Sequence, residues 1–120
     1  MEEPPIINNF EENFGKFIQI CANNQLYMWF GSERFLHGHI LNKLLSALNI
    51  QYETFVEGFC DRNINLPKIS GQDYELVGAG FFERKEGRYI LYGISDSYLI
   101  GPNKEHAEEI SKITGLELVI

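Results

Sequence analysis

The sequence predicts an α/β (α+β) domain: one mixed β-sheet of about six strands with a helix packed on each face. Two observations carry most of this. Short apolar runs bounded by turn residues recur along the chain, and two stretches with helical spacing interrupt them. A third is length: 120 residues are enough for one hydrophobic core and too few for two.

Residues 1–13 hold prolines, acids and asparagines, so a flexible N-terminal arm is expected before a single domain over 14–120. Lys16 to Ala22 and Gln25 to Phe30 read as strands. Asn23-Asn24 between them suits the positive φ angles of a two-residue hairpin. Ser32 is the expected N-cap of a helix running to about Asn49. Residues 50–59 form a further expected strand, and the turn-rich segment 60–72 an extra surface excursion. A second hairpin joins Asp73 to Phe82 with Arg88 to Ser95, its turn at Glu83 to Gly87. Asn103 caps a last helix ending at Gly115, a glycine suited to the C′ position. Leu116 to Ile120 is a short apolar terminal strand. The predicted order is β-β-α-β-β-β-α-β.

Composition narrows the function. A net charge of −7 opposes general phosphate-backbone binding, so nucleic acid is not an expected partner. No apolar run reaches the roughly 20 residues that span a bilayer, and no signal-peptide pattern opens the chain, so no membrane association is expected. Cys21 and Cys60 lack metal-ligand spacing and suit a reducing compartment, so a cytoplasmic protein is expected. The acids match no metal motif, so neither metal nor cofactor is expected.

Candidate chemistry concentrates in a few residues. At about 100° per residue, His37 shares a helix face with Leu41, Leu44 and Leu48, while His39 lies nearly opposite. His37 is therefore either a general base or nucleophile, or a core-edge histidine bonded to a loop carbonyl. A catalytic His37 would have to be open to solvent. His106 shares a face with Ile110 and Ile113; it either orients an anion or packs at a helix start. The loop Ser95-Asp96-Ser97 either holds an anion with amides and hydroxyls or satisfies its own backbone. Gly78 and Gly80 either admit a ligand close to the backbone or mark a bend. Lys16 either clamps an anion or is solvated.

These pieces resemble the Janus/Ocnus family, to which the phosphohistidine phosphatases belong. The resemblance runs in order through Lys16-Phe17-Ile18, His37-Gly38-His39-Ile40 and Leu76-Val77-Gly78-Ala79-Gly80. It continues through Tyr92-Gly93-Ile94-Ser95, then Tyr98 with Gly101-Pro102, and ends at His106. The resemblance implies metal-independent hydrolysis of protein phosphohistidine or a similar phosphoramidate, with His37 as the catalytic histidine. It implies that Lys16 and the amides around Ser95, Asp96 and Ser97 hold the phosphoryl group, with Gly78, Gly80 and His106 beside it. The partner would be a phosphorylated protein or small phosphoramidate, and the protein a monomer or weak dimer. The alternative is a non-catalytic adaptor that binds a phosphate or phosphopeptide on the same fold. Departures from the family include Phe81, where an arginine follows the glycines, Trp29-Phe30, where the strand before the His helix carries an arginine, and Asp96, which brings a carboxylate to the loop.

Overall fold

The computed structural model describes residues 4–59 and 62–120. Cys60 and Asp61, like the first three residues of the expected arm, lie outside the described residues. The elements are β1 (Phe14–Ala22), β2 (Gln25–Gly31), α1 (His37–Ala47), β3 (Thr54–Phe59) and β4 (Arg62–Pro67). They continue as β5 (Tyr74–Lys85), β6 (Arg88–Tyr92), α2 (Lys104–Thr114) and β7 (Glu117–Val119). This is the mixed α+β domain the sequence predicts, with one difference in how its strands are divided.

Five strands form the main sheet in the order β2-β1-β5-β6-β7, while β3 and β4 pair only with each other. All neighbours in the main sheet are antiparallel except the β6–β7 pair, which is parallel. The expected single sheet of about six strands is therefore corrected to a five-stranded sheet with a separate hairpin. Within the expected surface excursion over residues 60–72, residues 62–67 form β4. The buried Leu66 of β4 lies against α1. A Cβ placed on Gly38 would come within 2.7 Å of Leu66, so the absent side chain is what lets the hairpin seat against the helix. Phe55 meets Tyr98 edge-on at 5.8 Å on the same hairpin.

Turn chemistry fixes the meander. Asn23 and Asn24 have φ of 52° and 62°, a conformation asparagine tolerates better than most residues. Glu86 and Gly87 turn the β5–β6 hairpin with φ of 51° and 78°, so β5 runs three residues beyond its expected end at Phe82. In α2 the Asn103 side chain accepts from the His106 amide at 3.0 Å, and Gly115 closes the helix at φ 78°. α1 starts later than expected. Ser32 accepts from the Arg34 amide with its hydroxyl and from the Phe35 amide with its carbonyl. Those bonds close a turn ahead of the helix, and His37 becomes the first helical residue.

The two sheet faces hold separate cores, one helix on each. On one face Ile40, Leu41 and Leu44 of α1 pack on Ile18, Ile20 and Ala79. On the other, Ala107 and Ile110 of α2 pack on Phe17, Phe82 and Leu91. Of the N-terminal arm, expected to be loose, Ile6 and Asn8 are bonded to the edge of β2. The Met28 amide donates to the Ile6 carbonyl at 2.8 Å, and the Asn8 side chain bonds both the amide and the carbonyl of Phe30. That closes an edge otherwise open to pairing.

Candidate functional site

His37 sits where α1 begins, over the sheet row Gly31–Lys16–Phe81. Its Nε2 lies 2.7 Å from the Gly80 carbonyl oxygen. A carbonyl only accepts, so Nε2 carries the proton and the neutral ring keeps its lone pair on Nδ1. Burial holds His37 below the ordinary imidazole value of 6.5, with the Gly80 carbonyl opposing that, the Lys16 charge adding to it and Asp96 opposing it. The residue is 2% exposed, far more enclosed than an open catalytic histidine was expected to be. No side-chain nitrogen or oxygen fully buried among the described residues lacks a hydrogen-bond partner. The hydrogen bond of this ring uses Nε2, so the lone pair of the neutral ring lies on Nδ1.

Lys16, on the neighbouring strand, donates from Nζ to the Phe35 carbonyl at 2.7 Å. That leaves two ammonium hydrogens for another acceptor. Burial lowers its pKa from 10.5, and the charges of Asp96 and Glu33 raise it. Phe81 completes the group. Its ring meets the His37 imidazole edge-on at 5.6 Å, and Lys16 Nζ lies 5.9 Å from its centroid. The loop Ser95-Asp96-Ser97 reaches the same place through Asp96, which is exposed and whose charge bears on both Lys16 and His37.

The other expected residues are differently employed. The Ser95 amide donates to the Ile100 carbonyl at 2.9 Å, and its hydroxyl accepts from the Tyr98 amide at 3.2 Å. Ser95 thus knots the loop that presents Asp96. The Ser97 hydroxyl donates to Glu57 of the β3–β4 hairpin at 2.9 Å. Gly78 and Gly80 make room for protein. A Cβ on Gly78 would lie 2.1 Å from Gln19 Oε1, and one on Gly80 would lie 2.6 Å from the Tyr92 carbonyl oxygen. His106 faces the sheet from α2, on the side opposite His37. There Gln19 approaches its Nδ1 at 3.2 Å, and its Nε2 approaches the Ile20 carbonyl at 3.1 Å. The structure therefore brings together His37, Lys16 and Asp96, with Gly80 supplying the carbonyl, and leaves His106 apart.

Two contributors escape the sequence reading. Glu33 adds a second negative charge toward Lys16, and Tyr92 extends the row by stacking on Phe81 at 6.1 Å and 27°. The strand register that sets Lys16, Phe81 and Tyr92 side by side is the signal for the second. His39, the helix's outward histidine, takes the Leu36 amide proton on Nδ1 at 3.2 Å and so caps α1. Among the described residues no three His, Cys, Asp or Glu side chains gather as a metal site, and no helix is long and apolar enough to cross a membrane.

Chemically, the arrangement offers a neutral imidazole with a fixed tautomer, one ammonium able to neutralise an anion, and a carboxylate that modulates both. No protein-family model matches the chain, and no curated protein matches its sequence.

Proposed function

We propose that the protein binds a phosphoryl group between Lys16 and His37 and hydrolyses protein phosphohistidine or a similar phosphoramidate at His37. The observation that carries this reading is the Nε2–H bond to Gly80, which leaves the lone pair of the neutral ring on Nδ1 in a site where Lys16 also acts on it.

The chemistry balances without a further reagent. The Nδ1 lone pair attacks phosphorus in line with the labile P–N bond; a P–Nδ1 bond forms as the P–N bond breaks. The bonding pair leaves on the substrate nitrogen, which takes a proton from water. Water then displaces the phosphoryl group from Nδ1, releasing phosphate and restoring the lone pair. Lys16 neutralises equatorial oxygens throughout, which is where such catalysis gains most. Holding the imidazole at a fixed angle removes the entropic cost of orienting a nucleophile.

The test is phosphohistidine hydrolysis by wild type, His37→Ala, His37→Gln and His39→Ala. His37→Gln keeps a donor for Gly80 and lacks the nucleophile, so loss in both His37 variants by more than about 100-fold supports the reading. His39→Ala loses a helix cap, about 1 kcal/mol, and keeps activity. Hydrolysis that survives in either His37 variant would sink it.

The second reading is a non-catalytic adaptor for a phosphate or phosphopeptide, favoured by the 2% exposure of His37. It predicts binding of phosphate with no hydrolysis in any of the four proteins.

A further inference from the structure

Beyond His37 the sheet face is open. α1 packs on β1 and β2 on this side, and beyond it Tyr92 and Val119 are exposed while Phe81 and Ile90 are partly buried. The row Lys16–Phe81–Tyr92 borders this part of the face, and the next row runs Phe14–Glu83–Ile90–Val119 across four strands. Phe14 is 51% exposed and Tyr92 50%. An apolar surface contiguous with a cluster of chemistry-bearing residues is where the carrier of a reacting group would rest.

The rings are arranged for stacking. Phe81 stands at 85° to the His37 imidazole, and Tyr92 lies within 27° of parallel to Phe81. Tyr92 is thus backed by one ring while half its surface stays free. Charge sets the rest of the ligand. The Lys16–Phe81–Tyr92 row has one cation, and it already feels Asp96 and Glu33. In the next row the charged residue is Glu83, which pairs with Lys85 at 3.6 Å. Lys16 matches one phosphoryl group, and neither row supplies a second cation for a further phosphate or an acidic carrier.

We infer that Tyr92, supported by Phe81, is the specificity-determining residue of this site. It stacks the planar, uncharged carrier of the phosphoryl group, so that phosphorylated nitrogen heterocycles and aromatics are preferred over aliphatic phosphoamines. This rests on the phosphoryl-binding reading above. A ring gains offset stacking on Tyr92 that a flexible aliphatic chain does not. The imidazole of phosphohistidine has that shape.

The experiment is a titration of the full chain, followed by NMR, with two non-hydrolysable probes: phenylphosphonate and methylphosphonate. Wild type is expected to bind the phenyl compound about three- to tenfold more tightly. Tyr92→Phe keeps that preference, Tyr92→Ala abolishes it, and neither changes the affinity for methylphosphonate. Equal affinities in wild type, or a preference that survives Tyr92→Ala, overturn the inference while leaving phosphoryl binding in place. Failure of wild type to bind either probe overturns both.

Discussion

Gln19 and His106 meet across the sheet–helix boundary, Nε2 to Nδ1 at 3.2 Å, in a network whose every proton can be assigned. Gln19 Oε1 accepts from the Asn103 amide at 2.8 Å, which fixes the side-chain amide's orientation. Its Nε2 then donates to the Asn103 carbonyl and to His106 Nδ1. His106 Nδ1 is therefore unprotonated, and its Nε2–H donates to the Ile20 carbonyl. The bonds join β1 to the first turn of α2, and Gly78 leaves the room for them.

Gln19 is 0% exposed, so its removal strands its partners rather than returning them to water. Gln19→Leu keeps the bulk and leaves the Asn103 amide, its carbonyl and His106 Nδ1 without Gln19. The expected loss is about 3 kcal/mol. Urea denaturation with an unchanged m-value checks it; a loss under about 1 kcal/mol would mean the network contributes little.

The same logic yields a pH dependence. Burial, the first cause in both cases, holds His37 and His106 below the ordinary imidazole value of 6.5. In the unfolded chain both take up protons near that value, while the folded state resists. The stability from neutral burial is thus fully present above pH 6.5 and is lost as pH falls below it. The slope is up to about 1.4 kcal/mol per pH unit for each proton taken up on unfolding. Urea midpoints at pH 7.5 and 5.5 should differ accordingly. Equal midpoints would show that neither ring is held neutral.

Gly80 tests the joint between helix and strand. Its carbonyl orients His37, and a methyl group at its Cα would press on the Tyr92 carbonyl at 2.6 Å. That contact is backbone and cannot swing aside. Gly80→Ala should cost about 1–3 kcal/mol and disturb the His37 ring. Thermal unfolding, with the His37 ring resonances as a local probe, reads both effects.

How far the sequence went follows from which interactions are local. The Asn23-Asn24 hairpin, the Asn103 cap and the Gly115 stop depend on a few adjacent residues and were legible. Helical periodicity also showed that His37 and His106 turn inward. It could not show that they face opposite sides of one sheet, because that depends on the chain path between them. β4 was missed because Arg62–Pro67 mixes asparagines with its apolar residues, and its partner β3 is identified only by the pairing itself. Ser32 lost the cap position to a local turn, and His39, three residues after Leu36, took the capping role. Tyr92 became part of the site only through strand register.

Asp96 supplies the sharpest test of the site's electrostatics. Its carboxylate raises the pKa of both Lys16 and His37. Under the phosphoryl-transfer reading, activity needs Lys16 charged and His37 neutral. The active range is bounded below by His37 protonation and above by Lys16 deprotonation, the latter beginning short of the ordinary lysine value of 10.5. Asp96→Asn removes the raising influence from both, so the two limbs of the kcat/KM profile should move to lower pH together. It also removes a charge that repels the incoming phosphoryl group. KM should therefore fall about two- to fivefold, the range for exposed charge pairs. An alkaline limb that stays put in Asp96→Asn would mean that the carboxylate does not govern Lys16. A KM that rises would mean that Asp96 binds the substrate rather than opposing it.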